Sequence, residues 1–218
     1  MVEATNNNER RPDYARPPVV ETIVGVQFER LPSLKNAHLG AFWRSLDRTE
    51  WISVDDAPPI LSQFEQFAKT ARWGKGLQLH LTQDPATRVQ FKAEDGIRMI
   101  QVQNGRLHYN WLGKGGAEYP RYEKVRSGFA AVLQSFTDYI AGESLGELRP
   151  NQWEVTYLNH ITQGTVWKTP QDWNFFKPLA GLPTIPDLVE GESFGGTWHF
   201  VIPQNRGRLH IEWKHAKG

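Results

Sequence analysis

Arginine and histidine recur in this chain in a fixed pattern. Gly105-Arg106-Leu107-His108-Tyr109-Asn110-Trp111 returns 102 residues later as Gly207-Arg208-Leu209-His210-Ile211-Glu212-Trp213, with five of seven residues identical. Both arginines follow a turn glycine at the start of a repeated strand. An arginine so placed pairs with a carboxylate or receives an anionic ligand. A sheet face lined by the histidines of the strands suits a divalent metal or an anion. Arg106, His108, Arg208 and His210 are therefore the candidate ligand- or partner-binding residues, with Trp111 and Trp213 as the aromatic ends of the two copies. The plainer alternative is an outward polar row on an alternating strand, with edge salt bridges that contribute little when exposed.

Other chemistry is sparse. The remaining histidines are His38, His80, His160, His199 and His215, and no His-Glu-x-x-His or similar ligand spacing occurs. Gly113-Lys114-Gly115-Gly116 shares only its composition with a phosphate-binding loop. Asp55-Asp56 and Glu190-Gly191-Glu192 are loop carboxylates, for which solvated acids are the simple reading. An enzyme site would have to be assembled from His80, His108, Tyr109 and such carboxylates. No catalytic residue, metal or cofactor is assigned, and a non-enzyme is favoured.

Composition narrows the classes further. The 218 residues carry a formal net charge of +1, and none is cysteine. Disulfides, thiolate catalysis and cysteine-bound metals are excluded. The charge balance gives no long-range pull toward nucleic acid or an anionic membrane. A local basic patch, from Arg72, Lys75, Arg121, Lys124 and Arg126, is the alternative nucleic-acid surface. Neither a signal peptide nor a membrane-length apolar run is present, so the expectation is a cytoplasmic, bacterial-type protein with no membrane partner. Nine tryptophans are many for this length. Most suit strand and core positions, and the excess also suits a binding surface.

The elements that must position these residues follow from periodicity. Residues 1–17 read as a flexible tail. Val19 to Phe28 alternates as a strand. Ser33 stands where it can cap a helix from Ala37 to Leu46, and Ile60 to Thr70 reads as a second helix. Period two returns at Leu77 to Leu81, Thr87 to Lys92, Ile97 to Gln103 and Arg106 to Leu112. Asn104-Gly105 predicts a tight hairpin, which sets Gln103 opposite Arg106, Val102 opposite Leu107 and Ile100 opposite Tyr109. Ile100, Val102, Leu107, Tyr109 and Trp111 then share a buried face, and Gln101, His108 and Asn110 the other. Residues 119–141 form a long amphipathic helix through Tyr122, Val125, Phe129, Val132, Leu133, Phe136 and Ile140. Glu154 to Ile161 reads as another strand, Pro170 to Pro178 as a short helical or turn segment, and Thr197 to Ile202 with Arg208 to Lys214 as a second hairpin.

Several segments together resemble a sporadically distributed family of uncharacterised bacterial and archaeal proteins. They are Pro17-Pro18-Val19-Val20-Glu21 with Gly25-Val26-Gln27-Phe28, Tyr119-Pro120-Arg121-Tyr122-Glu123, and Tyr157-Leu158-Asn159-His160-Ile161. The likeness covers most of residues 17–161. It implies no activity, cofactor or catalytic residue, and its members are somewhat longer.

The fold expected is α+β, with antiparallel sheets and covering helices in two pseudo-repeated units of helix-grip or TATA-binding-protein-like form. The first unit spans 18–145. The second, 146–218, is shorter, is packed on the first or continuous with it as one domain, and lacks a closing helix. Its hairpin face, with Phe200, Leu209, Ile211 and Trp213, then needs a cover: the long helix shared by both units, a second copy, or residues beyond Gly218. The leading function is non-enzymatic binding of a protein or a small apolar ligand between the sheet and a helix. The alternatives are a nucleic-acid-associated module of a bacterial defence or regulatory system, and an enzyme with an unrecognised site.

Overall fold

The structure, a computed structural model, describes residues 14–62, 65, 67, 87–169, 172, 175, 176 and 195–215. Its strands are β1 (Val19–Phe28), β2 (Trp51–Ala57), β3 (Arg88–Ala93), β4 (Arg98–Gln103), β5 (Arg106–Leu112), β6 (Pro150–Asn159), β7 (Gly195–Ile202) and β8 (Gly207–Lys214). Its α-helices are α1 (Asn36–Ser45) and α2 (Tyr122–Gly142). Six strands form one sheet in the order β2-β3-β4-β5-β1-β6, and β7 and β8 form a second. Every pairing is antiparallel. The fold is thus α+β with antiparallel sheets.

The β4–β5 hairpin has the register that its Asn-Gly turn demands: Gln103 opposite Arg106, Val102 opposite Leu107, Ile100 opposite Tyr109. Gly105 takes φ 104°, the positive region in which glycine meets no Cβ penalty. Asn104 does more than turn the chain. Its side-chain amide accepts from Leu31 N at 2.9 Å and donates to the Leu31 and Leu34 carbonyls, so the same turn fixes the path from β1 into α1.

One face of the six-stranded sheet is apolar. Val24, Val26, Phe28, Val89, Phe91, Ile100, Val102, Leu107, Tyr109 and Trp111 are buried there. Helix α2 covers it, with Val125, Phe129, Val132, Phe136 and Ile140 buried at spacings of three and four. α2 packs on β1 and β5, and α1 fills the remaining space through Leu39 and Phe42. Phe42 meets Phe91, Phe136 and Tyr139 with ring centroids 5.0–6.0 Å apart.

Some expectations are corrected. Asp55 and Asp56 are strand residues of β2, not loop residues. β2 lies at the sheet edge, where exposed acids are tolerated, and Asp55 pairs with Lys92 of β3 at 2.7 Å. Ser33 does not cap α1. The N-cap is Lys35, whose backbone N–H donates to His38 Nδ1 at 2.9 Å, so a histidine takes the capping role. Among the described residues β7 and β8 pair with each other in the second sheet, and β6 joins the first sheet beside β1. The helix expected over 60–70 falls largely outside the described residues, as do the strand at 77–81 and most of 170–178. Ile60 and Leu61 themselves are not helical. Among the described residues α2 packs chiefly on β5 and β1, and Phe200 and Leu209 of the hairpin are each 50% exposed.

Candidate functional site

The opposite face of the large sheet is polar and largely buried. Gln27, Gln101, Gln103, Arg106, His108 and Asn110 all lie there with little exposure. Buried polar groups need partners, and these form a chain. Arg88 Nη1 and Gln90 Nε2 donate to Gln101 Oε1 at 2.8 and 3.1 Å. Gln101 Nε2 donates to Asn110 Oδ1 at 2.9 Å, and Asn110 Nδ2 to Glu21 Oε1 at 2.6 Å. Gln103 clasps Ile60, accepting from its N–H at 2.9 Å and donating to its carbonyl at 2.7 Å.

Both copies of the arginine–histidine pair close on a glutamate. In the first, His108 Nε2 lies 3.2 Å from Glu154 Oε1 and Arg106 Nε 3.4 Å from the same oxygen. The Arg106 Nε–H points off the line a hydrogen bond needs, and His108 Nδ1 has no partner among the described residues. Arg106 Nη2 donates to the Leu61 carbonyl at 3.3 Å. In the second copy, Arg208 Nε and His210 Nε2 each lie 2.6 Å from an oxygen of Glu65. The Arg208 guanidinium stands 5.4 Å over the Phe67 ring, a cation–π contact. His210 Nδ1 is 2.7 Å from His199 Nδ1. Burial works to raise the Glu65 pKa, but the bonds and charges of His210 and Arg208 outweigh it and hold the carboxyl below its usual range. Glu65 N donates to Gln152 Oε1 of β6 at 3.1 Å, which ties this clamp to the large sheet.

The two tryptophans lie away from these clamps. Trp111 is buried on the helix face, its ring 5.3 Å from Tyr119. Trp213 packs on Trp198 and Phe176, with centroids 4.6 and 6.0 Å away. Of the basic set, Lys124 and Arg126 are exposed on α2. Arg121 stands over the Tyr119 ring and donates to the Tyr14 carbonyl. Arg72 and Lys75 fall outside the described residues, as does His80. Among the described residues no group of three or more His, Asp or Glu side chains gathers to hold a metal ion.

A cleft opens on the helix side. It is a half-open groove of about 490 Å³ between α2, the end of α1 and the sheet, lined among others by Asp47, Glu50, Trp51, Arg98, Tyr109 and Tyr139. This volume lies within the range of small-molecule sites, about 300–1,000 Å³. Trp51 and Tyr109 meet edge to face at 6.4 Å. Arg98 pairs with Glu50 and Asp95 and stands 5.8 Å over the Trp51 ring. Burial works against the Arg98 charge, and the two carboxylates outweigh it, so its pKa is raised. Burial also raises the Tyr109 pKa, with Arg98 opposing, so the phenol keeps its proton. Thr49 donates to Asp47 Oδ1 from N at 2.8 Å and from Oγ1 at 2.7 Å, which holds that carboxyl low.

Glycine shapes both faces. A Cβ on Gly128, inside α2, would fall 2.6 Å from Tyr109 Cζ and 2.7 Å from its hydroxyl oxygen. A Cβ on Gly25 would fall 2.2 Å from His108 Cδ2. Each glycine admits a ring that any other residue would displace.

The site residues missed in the sequence were Glu65, Glu154, Arg98 and Gly128. Glu154 and Glu65 lie 46 and 145 positions from the histidines they meet. The interior glycine of an otherwise strong helix was the one local signal. In comparison with known proteins, no family model, curated protein or solved structure matches the chain.

Proposed function

We propose that the chain is a non-enzymatic binding domain, whose cleft between α2 and the sheet takes a small molecule. The observation that carries this reading is the Tyr109–Gly128 contact. Glycine inside a helix costs about 1 kcal/mol relative to alanine, and here it leaves room for an aromatic ring at the floor of a cavity. Trp51, Tyr109 and Tyr139 offer flat apolar walls, and Glu50, Arg98 and Asp138 offer polar ends. The ligand this suits has a compact apolar body and a polar head, rather than a purely apolar one. The proposal extends to a helix-grip form, supported by the long helix α2 laid over an antiparallel sheet. The family resemblance adds no activity to it. Cytoplasmic placement is part of the proposal and rests on composition.

Ligand-observed NMR with a fragment library tests the reading. Fragments should bind the native chain, and an Ala131→Trp variant should release them, because Ala131 is exposed on α2 and lines the cleft. Fragments that bind equally to both would place the site elsewhere. The nucleic-acid alternative gains no comparable observation, since Arg121 is engaged locally.

A further inference from the structure

β6 is an edge strand with unusual exposure. It pairs with β1 along one side, and among the described residues no strand pairs with the other. Trp153 is 61% exposed, and Val155, Tyr157 and Leu158 are exposed as well. Edges are normally blunted by charge, proline, bulges or short length. β6 runs ten residues with a single charged side chain, Glu154, and its only proline stands at its first position. Its partner β1 is flanked on both sides, by β5 and by β6.

β8 repeats five of seven residues of the β5 segment, and among the described residues it pairs with β7 alone. Its apolar side chains Leu209, Ile211 and Trp213 share one face, and its Arg208 and His210 share the other. The chain's own hairpin is held through that second face by Glu65, at 2.6 Å from each of Arg208 and His210. The Arg208 side chain is nearly buried there. Among the described residues the chain's own β8 does not pair with β6.

We propose that the free edge of β6 receives β8 of a second copy of this chain, antiparallel, as β1 receives β5. Alternation fixes the faces: Val155 and Tyr157 must lie beside Trp213 and Ile211 if the apolar sides are to join. Charge selects the register. Glu154 opposite Lys214 sets Val155 opposite Trp213, Thr156 opposite Glu212 and Tyr157 opposite Ile211. A slip of two in one direction sets Glu154 against Glu212, and like charges directly opposed are destabilising. The opposite slip sets Glu154 against Ala216, which offers no charge. Two reciprocal joins close a two-fold dimer.

The absence of cysteine makes a direct test clean. Thr156→Cys and Glu212→Cys are prepared as separate chains, both at exposed positions, mixed and oxidised. The expected product is a covalent heterodimer whose disulfide maps by peptide mass to positions 156 and 212. A Lys214→Glu change, which opposes Glu154, should sharply reduce its yield. Failure to form the 156–212 link, with both variants melting like the native chain, overturns the proposal. So does a double variant that yields only an intramolecular disulfide, which would mean that the hairpin closes on its own chain. Sedimentation of the unmodified chain gives an independent reading. A dimer that dissociates on dilution is expected, and a monomer at every concentration contradicts it.

Discussion

The end of the Tyr109 ring sits where a Gly128 side chain would be, 2.6 Å from the position of a Cβ. One helix residue and one strand residue thereby fix the depth of the cleft. Gly128→Ala gains about 1 kcal/mol of helix propensity, but it forces the ring out of a packed site, and overpacking costs about 1–3 kcal/mol. The expected outcome is a net loss of stability in thermal or denaturant unfolding, with a changed near-ultraviolet signal from Tyr109 and Trp51. Tyr109→Leu should remove most of that loss when combined with Gly128→Ala, a coupling that a double-mutant cycle measures.

Gly25→Ala acts on the opposite face. The new methyl would lie 2.2 Å from His108 Cδ2, so the imidazole must leave Glu154. Among the described residues the Glu154 carboxylate then keeps Arg106 nearby. Unfolding by urea should show destabilisation larger than that of His108→Ala, which makes room for the methyl. Equal effects would mean that the ring is not held where the structure places it.

Glu65→Gln separates the hairpin clamp from the rest of the fold. The folded-state pKa of Glu65 is depressed, by His210 and Arg208 against the effect of burial. A depressed carboxylate contributes stability above its unfolded pKa, ordinarily near 4.5. That contribution is lost as pH falls through the lower folded value. The native chain should therefore lose stability more steeply than Glu65→Gln through the acid range. Glutamine carries no charge for Arg208, so hydrogen exchange in β7 and β8 should quicken at neutral pH. Unchanged exchange would count against the clamp.

Trp213→Ala tests the second aromatic cluster. Trp213 packs against Trp198 and Phe176 and lies across Gly196. Truncation of a well-buried tryptophan costs about 3–5 kcal/mol, and this half-buried one should cost less while loosening the hairpin. Local exchange in β7 and β8, rather than the global unfolding midpoint, should report most of the change.

Much of the fold was legible because it is local. The β4–β5 register follows from one Asn-Gly pair and from alternation on either side of it. α2 follows from a stripe of apolar residues at helical spacing. β2 was not legible, because Asp55 and Asp56 at an edge look like loop residues until Lys92 stands beside one of them. The arginine–histidine pairs were visible as a repeat, but their glutamates were not, since nothing local links Glu65 to His210. The cleft needed α2 laid across the sheet before Gly128 and Tyr109 could meet.

The central claim, that the cleft holds a small molecule, is tested most directly by native mass spectrometry of the chain after exposure to an extract of small molecules from its source cell. One or a few compounds with an apolar body and a polar head should be retained by the native chain and be absent from Ala131→Trp. Retention of the same compounds by that variant would contradict it, as would a bound nucleotide or RNA in their place.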